Sequence, residues 1–131
     1  MHAEFALKYE KELLAPFART GYGCCEALHH KLDDVLTIPH IWRISMSPWA
    51  DVRVAAQKLG RKAIFSWKPK PAMLVGSYDE KHIRAYIREA LAAMRGCVCE
   101  IILKDTHTIE NRPERMHRWL EIAREEINRM A

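Results

Sequence analysis

Apolar residues follow two alternating rhythms along this chain, one of three to four residues and one of short unbroken runs. Phe5, Ala6, Tyr9, Leu13 and Phe17 fall near one side of a helix from Glu4 to about Phe17. Gly21 and Gly23 break that pattern around a short strand. Leu28, Leu32, Val35 and Leu36 then return to helical spacing between Glu26 and Leu36. Compact apolar runs at Trp42 to Met46, Ala63 to Trp67 and Val98 to Leu103 read as strands. The last of these is apolar enough to predict burial on both faces.

Between the runs lie three further helices. One starts at Ser47-Pro48, a hydroxyl acceptor followed by a preset φ, and ends at Gly60. Ser77-x-x-Glu80 forms a capping box before Ile83, Tyr86, Ile87, Ala90, Leu91 and Met94. The final helix begins near Pro113, with Met116, Trp119, Leu120, Ala123, Ile127 and Met130 as its stripe. Lys68-Pro-Lys-Pro71 forbids regular pairing and predicts a loop. One helix followed by four strand-helix units implies an α/β fold with parallel strands and right-handed crossovers.

At 131 residues one domain, 1–131, is expected. Hydrophobic residues at 49% and charged residues at 29% are those of a globular protein. No apolar run reaches the roughly 20 residues that span a bilayer, and the amino terminus lacks the pattern of a signal peptide. A cytoplasmic protein with reduced thiols is the expectation, without a membrane partner. The net charge of +4 comes from Lys and Arg interleaved with Asp and Glu. No basic-aromatic strip marks a nucleic-acid surface, so no nucleic-acid partner is expected.

Parallel α/β sheets gather their chemistry at strand carboxyl ends. Tyr22-Gly-Cys-Cys-Glu26 follows the first strand, and Lys104-Asp-Thr-His107 follows the last. Cys24, Cys25, Glu26 and His107 are therefore candidate metal ligands, of the types zinc accepts in a tetrahedron. Trp49, Asp51, Trp67, Lys68 and His107 are candidate substrate contacts on the same rim. The plainer alternatives are core aromatics, solvated lysines and small buried thiols. Cys97 and Cys99, at the start of the last strand, are assigned to packing. His29, His30, His40, His82 and His117 are assigned to the surface.

From Tyr22 to the end, the chain resembles the carboxyl-terminal half of the uroporphyrinogen decarboxylase superfamily, which includes zinc-dependent corrinoid methyltransferases. The resemblance rests on the Gly-Cys-Cys-Glu turn, on Ile44-Ser-Met-Ser-Pro-Trp-Ala-Asp51 and on Phe65-Ser-Trp-Lys-Pro-Lys-Pro71. The capped helix from Ser77 and the ending Leu103-Lys-Asp-Thr-His107, with Pro113-Glu-Arg beyond it, support it. It implies half of a (β/α)8 (TIM) barrel preceded by one helix and completed by dimerisation. His107 matches a porphyrin-contacting histidine of the decarboxylases. In the methyltransferases a His-x-Cys and a later Cys bind zinc. Cys24 matches the first cysteine, Tyr22 stands in place of the histidine, and His107 replaces the last cysteine. The decarboxylases' amino-terminal arginine and aspartate motifs have no counterpart, so porphyrinogen decarboxylation, a lyase reaction, is not expected of this chain alone.

Two functions follow as expectations. One is a zinc-binding methyltransferase module that works with a corrinoid through a partner protein. The other is a non-catalytic half-barrel that binds a second copy of itself or a separate amino-terminal half-barrel chain.

Overall fold

In the computed structural model residues 1–23 and 25–130 are described. Four strands, β1 (Thr20–Tyr22), β2 (Ile41–Met46), β3 (Ile64–Trp67) and β4 (Cys99–Ile101), form one parallel sheet in the order β1-β2-β3-β4. Each strand pairs with its sequence neighbour, so the successive strand-helix-strand crossovers all step in one direction across the sheet. The helices are α1 (Lys8–Leu14), α2 (Leu32–Val35), α3 (Val52–Leu59), α4 (Glu80–Ala93) and α5 (Glu114–Met130). A π-helical segment, Ala3–Leu7, precedes α1, and a 3-10 turn, Leu28–His30, precedes α2. This singly wound α/β arrangement is compatible with half of a βα barrel.

The register sorts the strand residues onto two faces. Ile44 lies beside Phe65 and Met46 beside Trp67, and all four are buried in one core with Ala55, Leu59, Ile83 and Ile87 of α3 and α4. Burying side chains of this size contributes about 1.5–3 kcal/mol each before entropy is counted. The opposite face carries Arg43 beside Ile64, Ser45 beside Ser66 and, on β4, Glu100. Arg43 pairs with Glu100 across β3, above the buried Ser66. This second face is thus largely polar. An apolar inner face in need of cover is not what the strands present.

Exposed apolar surface lies elsewhere. Phe5, Tyr9, Leu13 and Phe17 are 58–74% exposed, so the amphipathic side of the first helix points outward. Only Leu7 from that segment is buried in the core. Hydrogen bonds at 3.0 Å to Glu10 and 2.9 Å to His2 tie the helix to the Tyr22 hydroxyl at the end of β1. Burial first, and Glu10 second, push the Tyr22 phenol up to about 12.

Several local expectations change. The helix expected from Glu26 to Leu36 is two short pieces, with Lys31 between them at φ −110° and ψ 2°. Asp51, not Ser47, caps α3: its carboxylate accepts the Arg53 and Val54 N–H groups, while the buried Ser47 hydroxyl donates to Glu26 O. Asp79, not Ser77, caps α4, because the Glu80 carboxylate is held by Arg118 at 2.8 Å through both oxygens. β4 is shorter than expected and is not buried on both faces, since it forms the edge of the sheet and leaves Val98 43% exposed.

α5 is fastened to α4 by Glu126, a fully buried carboxylate that accepts from Arg84, Arg88 and Arg129 at 2.9–3.1 Å. Arg115, also buried, donates to Leu74 O, Gly76 O and Glu110, which anchors the start of α5. No helix is long and apolar enough to cross a membrane among the described residues.

Candidate functional site

Because the strands are parallel, Tyr22, Met46, Trp67 and Ile101 end on one rim, and the four following loops rise from it. The first loop turns at Gly23. Its φ is +129°, and a Cβ there would lie 2.6 Å from Ser45 O and 2.7 Å from Ser45 Cβ. Only glycine lets β1 approach β2 this closely and still turn. Cys24 lies outside the described residues. Cys25 follows with its sulfur on the rim.

Lys104 meets it from the far end of the sheet. Its Nζ lies 2.6 Å from Cys25 Sγ and 2.9 Å from Asp105 Oδ2, and its side chain is 9% exposed. The Cys25 sulfur and then the Asp105 carboxylate raise the Lys104 pKa, so the amine is held as an ammonium. A nearly buried ammonium against sulfur favours thiolate over thiol, and thiolate is the nucleophile of cysteine chemistry. Asp105 adopts φ +44°, a left-handed turn that aspartate tolerates, and this turn returns its carboxylate to its own neighbour.

The remaining candidates occupy the same rim in separate places. Glu26 is exposed, with its carboxylate 2.5 Å from Lys31 Nζ. Trp49 is 71% exposed, with Lys70 Nζ 6.0 Å from its ring centroid. Asp51 and Trp67 line one hollow of about 290 Å3 together with Val52, Tyr86 and Ala90. Trp67 is buried as its wall, 5.3 Å from the Tyr86 ring, and Asp51 is occupied in capping α3. Two backbone N–H bonds hold the Asp51 carboxyl below its usual range, the Val54 bond contributing most. Lys68 is half-buried, with its backbone N–H bonded to Met46 O. His107 is exposed, beside Pro71, Ala72 and Val75 in a shallow hollow of about 230 Å3.

Among the described residues no three of His, Cys, Asp and Glu converge. Cys25, Glu26 and His107 therefore do not gather into one donor set: Glu26 turns to Lys31 and His107 to the hollow by Pro71. Cys97 sits in the core margin with its thiol 3.7 Å from Ala56 O, whereas Cys99 is exposed on the edge strand.

Two residues matter more than their sequence pattern indicates. Lys104 belonged to the rim turn, but its partner is 79 positions away. The readable signal was a lysine placed directly after an apolar strand, where a solvated side chain has little room. His29 is half-buried rather than a surface residue. Its Nδ1 accepts the Asp51 N–H at 3.1 Å, and burial first, then His30, lowers its pKa.

Set beside protein-family models, curated proteins and solved structures, the chain matches none of them.

Proposed function

We propose that this chain is a half-barrel of the uroporphyrinogen decarboxylase and corrinoid methyltransferase type, with Cys25 as an alkyl-accepting thiolate. The observation that carries the reading is the 2.6 Å approach of Lys104 Nζ to Cys25 Sγ across the rim. Alkyl transfer needs a thiolate lone pair in line with an electrophilic carbon, and the Lys104 ammonium supplies the charge that keeps the proton off sulfur.

The methyl donor is a corrinoid carried by a partner protein. The sulfur–carbon bond forms as the cobalt–carbon bond breaks, and cobalt keeps the electron pair. Lys104 stays protonated throughout and holds the sulfur in place beforehand. Asp51, Trp67 and Tyr86 border a separate hollow, and Trp49, Lys68 and His107, on other parts of the same rim, are proposed substrate contacts. Zinc enters the reading only as what the resemblance implies through Cys24, and the step above does not run through it.

The experiment is incubation with methylcobalamin followed by peptide mapping. The expected result is one added methyl group on Cys25, accompanied by cob(I)alamin, and its loss in Lys104→Met. Cys25 left unmodified in the wild-type protein while free thiols in the same tube are methylated would overturn the reading.

A second reading, a half-barrel that serves as a binding subunit, is favoured by the exposed Phe5, Tyr9, Leu13 and Phe17. The two readings are compatible, since a half-barrel needs a completing partner to enclose its rim.

A further inference from the structure

The two ends of this fold are both open. Among the described residues β1 and β4 each pair on one side only, and both leave a row of backbone groups without a strand partner. At the β1 end stands the first helix with Phe5, Tyr9, Leu13 and Phe17 outward. At the β4 end, α5 exposes Met116, Leu120 and Ile127 beside a groove of about 210 Å3. Leu91, Ile101, Trp119 and Ala123 line that groove, and the Trp119 indole N–H is buried with no hydrogen-bond partner.

The two apolar stripes are comparable in length. At 1.5 Å per residue, Phe5 to Leu13 runs roughly 12 Å before Phe17 extends it, and Met116 to Ile127 runs roughly 17 Å. Their charged flanks are complementary. Glu12, three residues after Tyr9, is exposed and enters no ion pair among the described residues. Arg124, four residues after Leu120 and three before Ile127, lines the groove and likewise enters none among them.

We infer that a second copy of this chain docks here, with its first helix against the α5 stripe and its β1 end against the β4 groove. Glu12 of each copy then faces Arg124 of the other. One chain carries both halves of the contact, so two copies meet twice about a two-fold axis and leave neither end open. Parallel strands in the order β1-β2-β3-β4 make β4 and the second copy's β1 the correct next neighbours for a closed sheet. This names the completing partner of the half-barrel proposed above and rests on that reading.

Light scattering behind size-exclusion chromatography tests it on the whole chain. At about 50 µM the wild-type protein runs at twice 15.3 kDa. Phe5→Glu with Leu13→Glu, both at exposed positions, raises the dissociation constant roughly a hundredfold and leaves the circular dichroism spectrum intact. Glu12→Arg weakens the dimer roughly tenfold, and Arg124→Glu in the same chain restores it. A wild-type monomer at that concentration, or a double variant that remains dimeric, overturns the inference. Failure here is distinct from failure of the thiol reading. A monomer whose Cys25 accepts methyl removes the interface alone, and a dimer whose Cys25 does not removes the chemistry alone.

Discussion

Lys104 and Cys25 meet across the whole width of the sheet, although their strands are its two outer members. Three strand spacings of about 4.8 Å would hold β1 and β4 roughly 14 Å apart in a flat sheet, farther than a lysine side chain reaches. The two loops close that gap by leaning together over the rim, Cys25 lying three residues beyond β1 and Lys104 three beyond β4.

Gly23 is the hinge of that arrangement. Gly23→Ala is expected to cost about 3 kcal/mol, because the new methyl meets Ser45 O at 2.6 Å and the backbone holds a positive φ. Urea denaturation measures the loss, and Gly60→Ala is the control. Gly60 also has a positive φ but nothing within 4 Å of its Cβ position, so its loss should be smaller by the steric part.

His29 gives stability a pH dependence of definite sign. Its folded pKa lies below the ordinary 6.5, so the unfolded chain binds the extra proton first. The bond from the Asp51 N–H to Nδ1 needs a neutral ring. Its stabilisation is fully present above pH ~6.5 and is lost as pH falls through the depressed folded value. His29→Asn, which keeps an acceptor without the titration, is expected to flatten the denaturation midpoint between pH ~5 and ~7.

Glu126 is the carboxylate on which α5 depends. Arg88 first, and Arg84 after burial, hold its pKa below 4.5, so its contribution is present above that value and fades in acid. Glu126→Gln keeps the shape and loses the charge. The expected cost at pH 7 is about 2 kcal/mol, the scale of hydrogen bonds to a charged group. Thermal unfolding at pH 7 and at pH ~3.5 should show the wild-type and variant curves converging at the lower pH.

Much of the architecture was legible because alternation of short apolar runs with helical stripes leaves few topologies open. The positions of α3, α4 and α5 follow directly from their buried Ala55, Leu59, Ile83, Ile87 and Trp119. Which side of the first helix faces inward was not legible. Phe5, Tyr9, Leu13 and Phe17 make a regular stripe, but periodicity does not say whether the core or another surface receives it. The caps went to Asp51 and Asp79 because Ser47 and Glu80 had better partners in distant elements. The rim itself was readable from strand polarity, and so was the place of Cys25. The pairing of Cys25 with Lys104 was not, because it joins loops 79 positions apart in the chain, which no local pattern encodes.

The most direct measurement is the rate of Cys25 alkylation by iodoacetamide at pH 7, followed by peptide mapping in a Cys24→Ser background. Lys104→Met is expected to slow it roughly tenfold by removing the ammonium beside the sulfur, while the Cys99 rate in the same protein is unchanged. Equal Cys25 rates in the two proteins would contradict it.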